Sequence, residues 1–282
     1  NLAQAFNSLG TAIAPAIGAS FLLSDTIKSS SEISLLSELE KVSYYLVEAE
    51  AVQTPFVLLS ASIVILAVLF AFIKLPRVIK SVTNSGYRQV LKNKVLVMGS
   101  FAILVYVGAE VAIGSYLVNY FIDMDMHLII QGTPWMNTIA TNILNTDLAS
   151  LDKRAIVGAF VTFYWSGAMI GRFVGAYLTN IIAPSKVLSF FAIGALLLII
   201  TSLNTVGLIS MWSILAVGLF NSIMFPTIFT LSIKDVEDLK PQASGILCTM
   251  IVGGAIIPPL YGYFTDLAGF KTAMILLLAC YG

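Results

Sequence analysis

Apolar residues run through this chain in long blocks, not at the 2- or 3.6-residue periods of half-buried strands and helices. A helix needs about 20 mostly apolar residues to span the hydrocarbon core of a membrane. Eight blocks meet or approach that length: 1–23, 55–73, 95–121, 155–178, 187–203, 208–233, 241–265 and a shorter 272–282. The 47 residues from Val187 to Ile233 carry no charge, too many for one crossing, and the Asn204-Thr205-Val206-Gly207 break divides them. The pattern predicts an all-α polytopic membrane protein. Composition agrees, with 58% hydrophobic and 11% charged residues, where soluble domains carry roughly 25% charged.

Lys and Arg collect in cytoplasmic loops, so their distribution sets the orientation. Segment 74–94 holds Lys74, Arg77, Lys80, Arg88, Lys92 and Lys94 and no acid, whereas 24–54 holds six acids and two lysines. The first is placed inside and the second outside. With the crossings alternating from there, inside segments carry ten basic residues and outside segments five. The outer loops 24–54 and 122–154 are long enough for short helices on the membrane surface. His127, in the second, is expected to be solvated and not to bind metal.

The chain starts at Asn1 with the apolar pattern already running at Leu2, and its last block is short, as in a piece of a longer protein. There is no signal-peptide pattern. A shift of 244 residues superimposes Gly10, Ile13, Pro15 and Gly18 on Gly254, Ile257, Pro259 and Gly262, pairing the first span with the seventh. Carriers built from repeated bundles show such symmetry. The expected organisation is 1–73 as the last two helices of one six-helix half, 74–94 as a basic cytoplasmic linker, and 95–282 as a second, truncated half.

Fourteen of fifteen acids lie in loops or at span ends, and Glu110 alone sits near the middle of an apolar block. A charge at the bilayer centre costs about 2.5–3.5 kcal/mol on insertion scales, so such a group faces a cavity or a partner and usually has a task. Glu110 is the candidate for proton coupling or substrate binding. Gln4 and Asn7 share a helix face, with Thr11 a turn further, and an amide pair suits a ligand covered in hydroxyls. Asn221 is a third uncharged polar group at membrane depth, and Pro226 loosens its helix and frees carbonyls. Tyr106, Tyr116 and Tyr164 add rings near these groups. A sugar packs its apolar face on a ring and bonds through its hydroxyl rim. Tyr120 and Trp165 also fit interface anchors.

Other chemistry is missing. No phosphate-binding loop, His-Glu-x-x-His or nucleophile elbow occurs, so no enzyme is expected and no cofactor, and any driving force is an ion gradient, proton or sodium. Zero net charge argues against nucleic acid as a partner. Cys248 and Cys280 lie in apolar blocks and imply no disulfide framework.

The opening Asn1-Leu2-Ala3-Gln4-Ala5-Phe6-Asn7-Ser8-Leu9-Gly10 resembles the fifth helix of the fucose/proton symporter family of the major facilitator superfamily. Tyr106-Val107-Gly108-Ala109-Glu110 through Ser115-Tyr116 resembles its seventh helix, Gly171-Arg172-Phe173-Val174-Gly175 the superfamily's loop motif after the eighth, and Phe225-Pro226-Thr227-Ile228-Phe229 its tenth. The resemblance implies a twelve-helix alternating-access carrier of the bacterial cytoplasmic membrane, able to work as a monomer, that moves a hexose with a proton. By position, Gln4 and Asn7 match sugar-contacting amides, and Arg172 a gating or stability residue on the cytoplasmic side. Glu110 and Met224 stand where fucose carriers have glutamine, and an acid at 110 looks like the glucose/galactose branch. Glucose or galactose is the expected sugar, with fucose next. Two other readings are a carrier of the same fold for a non-sugar solute, and a membrane sensor that binds sugar without moving it.

Overall fold

The structure, a computed structural model, describes residues 36–73, 86–236 and 239–282. Among these, six stretches are long and apolar enough to cross a membrane. The first predicted span, 1–23, and the residues of the internal repeat that it contains lie outside the described residues. The described chain falls into two compact units, residues 36–73 in one and 86–282 in the other.

The first unit is the helix α1, Glu38–Phe72. Ser37 starts it with a capping box: its hydroxyl accepts from Glu40 N at 3.4 Å while the Glu40 carboxylate accepts from Ser37 N at 2.9 Å. A turn on, Lys41 donates to Glu38 at 2.8 Å, and this hydrogen bond holds the Glu38 carboxyl below the usual carboxylate range. The helix continues through Pro55 into the apolar run Gln53–Phe72. The second half of the predicted outer loop 24–54 is therefore an extension of the span, not a separate surface helix. A proline deletes one helical hydrogen bond, which this long helix tolerates with the rest of its ladder intact.

In the second unit, a single turn, Tyr87–Val90, precedes α2, Lys94–Asp123, whose first amides are capped by Asn93 Oδ1 at 2.9 and 3.2 Å. Asp125 turns the chain in the left-handed region, at φ 50°. The outer loop 122–154 then forms two short helices as expected, α3 (Met126–Gly132) and α4 (Pro134–Leu144). Asp152 caps α5, Lys153–Ile181, by accepting from Arg154 N at 2.7 Å. Next come α6, Pro184–Asn204, and α7, Gly207–Asn221. The predicted span 208–233 is broken inside the membrane: α7 stops at Asn221, and α8, Met224–Ser232, resumes after Ser222 and Ile223. Likewise, span 241–265 divides into α9, Lys240–Thr249, a tight turn at Met250–Val252, and the start of α10, Gly253–Tyr281. Gly269, at φ 81°, kinks α10 and separates the limbs that the sequence placed at 241–265 and 272–282.

α10 lies along α2, and α7 packs on both α5 and α6. Lipid supplies no hydrophobic drive between helices, so small residues that let backbones approach are what permit these crossings. At Gly218 of α7 an added Cβ would stand 2.9 Å from the Tyr164 carbonyl carbon of α5. Outward, Met98, Phe101, Phe173, Phe190 and Leu197 are exposed, an apolar face suited to lipid.

Candidate functional site

Glu110 lies near the midpoint of the 30-residue α2, with Tyr106 one turn before it on the same face. Tyr106 Oη is 2.7 Å from Glu110 Oε2 and 2.9 Å from the main-chain oxygen of Asn221, the last residue of α7. The Asn221 side chain is hydrogen-bonded to two further tyrosines. Its Nδ2 donates to Tyr164 Oη of α5 at 2.8 Å, and its Oδ1 accepts from Tyr281 Oη of α10 at 2.7 Å. Three helices thus converge on one residue of a fourth. Asn221 is 1% exposed and Tyr106 4%, so the cluster is closed to water within this unit, while Glu110 is only partly buried.

The break between α7 and α8 gives the cluster its main-chain acceptors. Pro226 has no N–H, so the Ser222 carbonyl four residues earlier has no helical donor there. Arg172 of α5 takes that role, its Nε donating to Ser222 O at 3.1 Å. The preceding carbonyl, that of Asn221, meets Tyr106. Two successive carbonyls at the break are therefore held by side chains from other helices, which is how non-helical backbone is tolerated at membrane depth. On the predicted cytoplasmic side, a cavity of about 280 Å³ is lined by Arg172, Thr179, Asn180, Thr227 and Thr230 among others.

Of the sequence candidates, Tyr106, Glu110, Tyr164 and Asn221 come together, with Arg172 and Pro226 at their edge. Met224 is buried at the start of α8. Tyr116 stands apart, almost three turns beyond Tyr106, its ring 5.3 Å from that of Tyr261 and its hydroxyl against Gly262. Gln4, Asn7 and Thr11 lie outside the described residues. Tyr281 is part of the cluster although nothing in the sequence around it marks it as such. In a second polar cluster, Tyr120 Oη lies 2.6 Å from Ser210 Oγ, itself 2.9 Å from Ser202 Oγ. Tyr120 is thus a buried hydrogen-bonding residue and not an interface anchor. Beside it, the Lys271 ammonium donates to the carbonyls of Ser202, Leu203 and Thr205 at the end of α6. His127, expected to be solvated, is half-buried with Nδ1 enclosed and without a hydrogen-bond partner. No group of three metal-binding side chains occurs among the described residues.

This helix arrangement is shared with a solved carrier. The crystal structure of the Escherichia coli fucose:proton symporter matches with a TM-score of 0.75 and 27% identity, over 100% of this chain and 65% of that one. The chain has the major facilitator fold. The chain is 38% identical over 283 residues to the glucose/galactose transporter of Brucella abortus, covering 99% of this chain and 60% of that protein. It is 31% identical over 296 residues to the L-fucose-proton symporter of Escherichia coli, covering 100% of this chain and 61% of that protein. The chain thus spans about three-fifths of the length of these relatives. No family model matches it.

Proposed function

We propose that this chain is the greater part of a secondary carrier that moves glucose or galactose, and fucose second, across the bacterial cytoplasmic membrane together with a proton. Residues 1–73 supply the last two helices of the first bundle, 74–94 the cytoplasmic linker and 95–282 the second bundle, working as a monomer by alternating access. The observation that carries the reading is Glu110 at mid-membrane, hydrogen-bonded to Tyr106 and one bond away from the broken helix. A carboxyl so placed can hold a proton on one side of the membrane and release it on the other as its surroundings change. The names of the relatives supply the sugar class, and the acid at 110 favours glucose and galactose within it. Gln4 and Asn7 contribute hydroxyl-binding amides, while Tyr116 offers a ring. The reading needs no cofactor, and the gradient is of protons, with sodium as the alternative.

Uptake of labelled glucose, galactose and fucose into liposomes holding the full-length protein tests this. An inward proton gradient is expected to drive glucose or galactose above the external concentration. Glu110→Gln should lower that accumulation about tenfold or more, the scale of one lost hydrogen bond to a charged group, while sugar exchange continues. Binding without uptake under proton or sodium gradients would favour the sensor instead.

A further inference from the structure

Hydrogen-bond donors around the break do not match the acceptors. Tyr106 has one hydroxyl hydrogen but faces two oxygens, Glu110 Oε2 at 2.7 Å and Asn221 O at 2.9 Å. The second is a carbonyl and only accepts. An ionised Glu110 also only accepts, and as a charged acceptor it takes the hydrogen in preference. The Asn221 carbonyl is then left without the phenol. A protonated Glu110 reverses the arrangement: its own O–H donates to Tyr106 Oη, and the phenol turns its hydrogen to Asn221 O.

We propose that Tyr106 is the positioning residue that transmits the protonation state of Glu110 to the α7–α8 break. This rests on Glu110 titrating during transport, and it assigns the link to one hydrogen. The adjoining carbonyl of Ser222 is held by Arg172, whose charge is constant, so one of the two carbonyls at the break is fixed and the other depends on the proton. Other titratable groups within electrostatic reach of Glu110 are few. Tyr164 and Arg172 face it from α5 and Tyr281 from α10, while α7 and α8 contain no titratable residue. Tyr164 and Tyr281 are both engaged with the Asn221 side chain, which leaves Tyr106 as the phenol shared between the carboxyl and the main chain.

The test uses the full-length carrier in lipid, with asparagine labelled by carbon-13 at its main-chain carbonyl, and infrared difference spectra between acid and alkaline pH. A pH-dependent carbonyl band is expected in the unmodified protein. Asn221→Gln, which removes the label from that position, should abolish it and so assign it. Tyr106→Phe and Glu110→Gln should each abolish it as well, whereas Tyr281→Phe, which leaves both Tyr106 bonds in place, should retain it. Glu110→Gln keeps Tyr106 and nearly the same volume, so it carries the test if Tyr106→Phe does not fold. In transport, Tyr106→Phe should lower proton-driven accumulation about tenfold, more than it lowers sugar exchange. No labelled band in the unmodified protein, a band that survives Tyr106→Phe, or equal loss of accumulation and exchange would overturn the assignment. The infrared measurement needs no sugar, so a wrong cargo leaves it unaffected.

Discussion

At the residue scale, Asn221 is the member of the site whose removal leaves most undone. Asn221→Ala strands two phenols, Tyr164 and Tyr281, that are each otherwise hydrogen-bonded in a buried place. Membrane hydrogen bonds average only ~0.6 kcal/mol in double-mutant cycles, but two unpaired groups are costlier than one lost bond. The variant is expected to lose about 1–3 kcal/mol of stability, read as a lower unfolding temperature in detergent, with Tyr281→Phe losing less. Glu110 and Asn221 were legible in the sequence because a polar group in an apolar block stands out. Tyr281 was not, because a tyrosine near the end of an apolar block looks like an interface anchor. Its role depends on α10 lying along α2, a long-range fact. The same ambiguity affected Tyr120, whose partners Ser202 and Ser210 come from two other helices.

At the scale of elements, the break between α7 and α8 couples a proline on one helix to an arginine on another. Restoring the N–H with Pro226→Ala gives Ser222 O a helical donor that competes with Arg172. Arg172→Gln should therefore destabilise the native background more than it destabilises the Pro226→Ala background. A double-mutant cycle on thermal unfolding is expected to show about 1 kcal/mol of coupling, and additive effects would contradict the shared carbonyl. Block length found the spans, since hydrocarbon thickness fixes it. The interruption at Ser222–Ile223 was less visible, because its carbonyls are held by Tyr106 and Arg172, side chains that arrive from neighbouring helices. α1 carries its start signal in the sequence: Ser37 and Glu40 at capping-box spacing start the helix well before its apolar run.

For the whole molecule, the two sides of the membrane are assigned by the alternation of basic and acidic loops. It puts Arg172 and the break's cavity toward the cytoplasm and Lys271 outside. Glu110 lies between the two ends, near the midpoint of α2. The sharing of fold and sequence with sugar carriers makes proton-linked sugar movement the central claim. One recording tests it most directly: glucose or galactose is added outside lightly buffered liposomes that hold the full-length protein, with no gradient imposed, while external pH is followed. Sugar entering with protons should make the medium more alkaline, and Glu110→Gln should abolish that change. Sugar entry with no pH change in the unmodified protein, or an undiminished change in Glu110→Gln, would contradict the account.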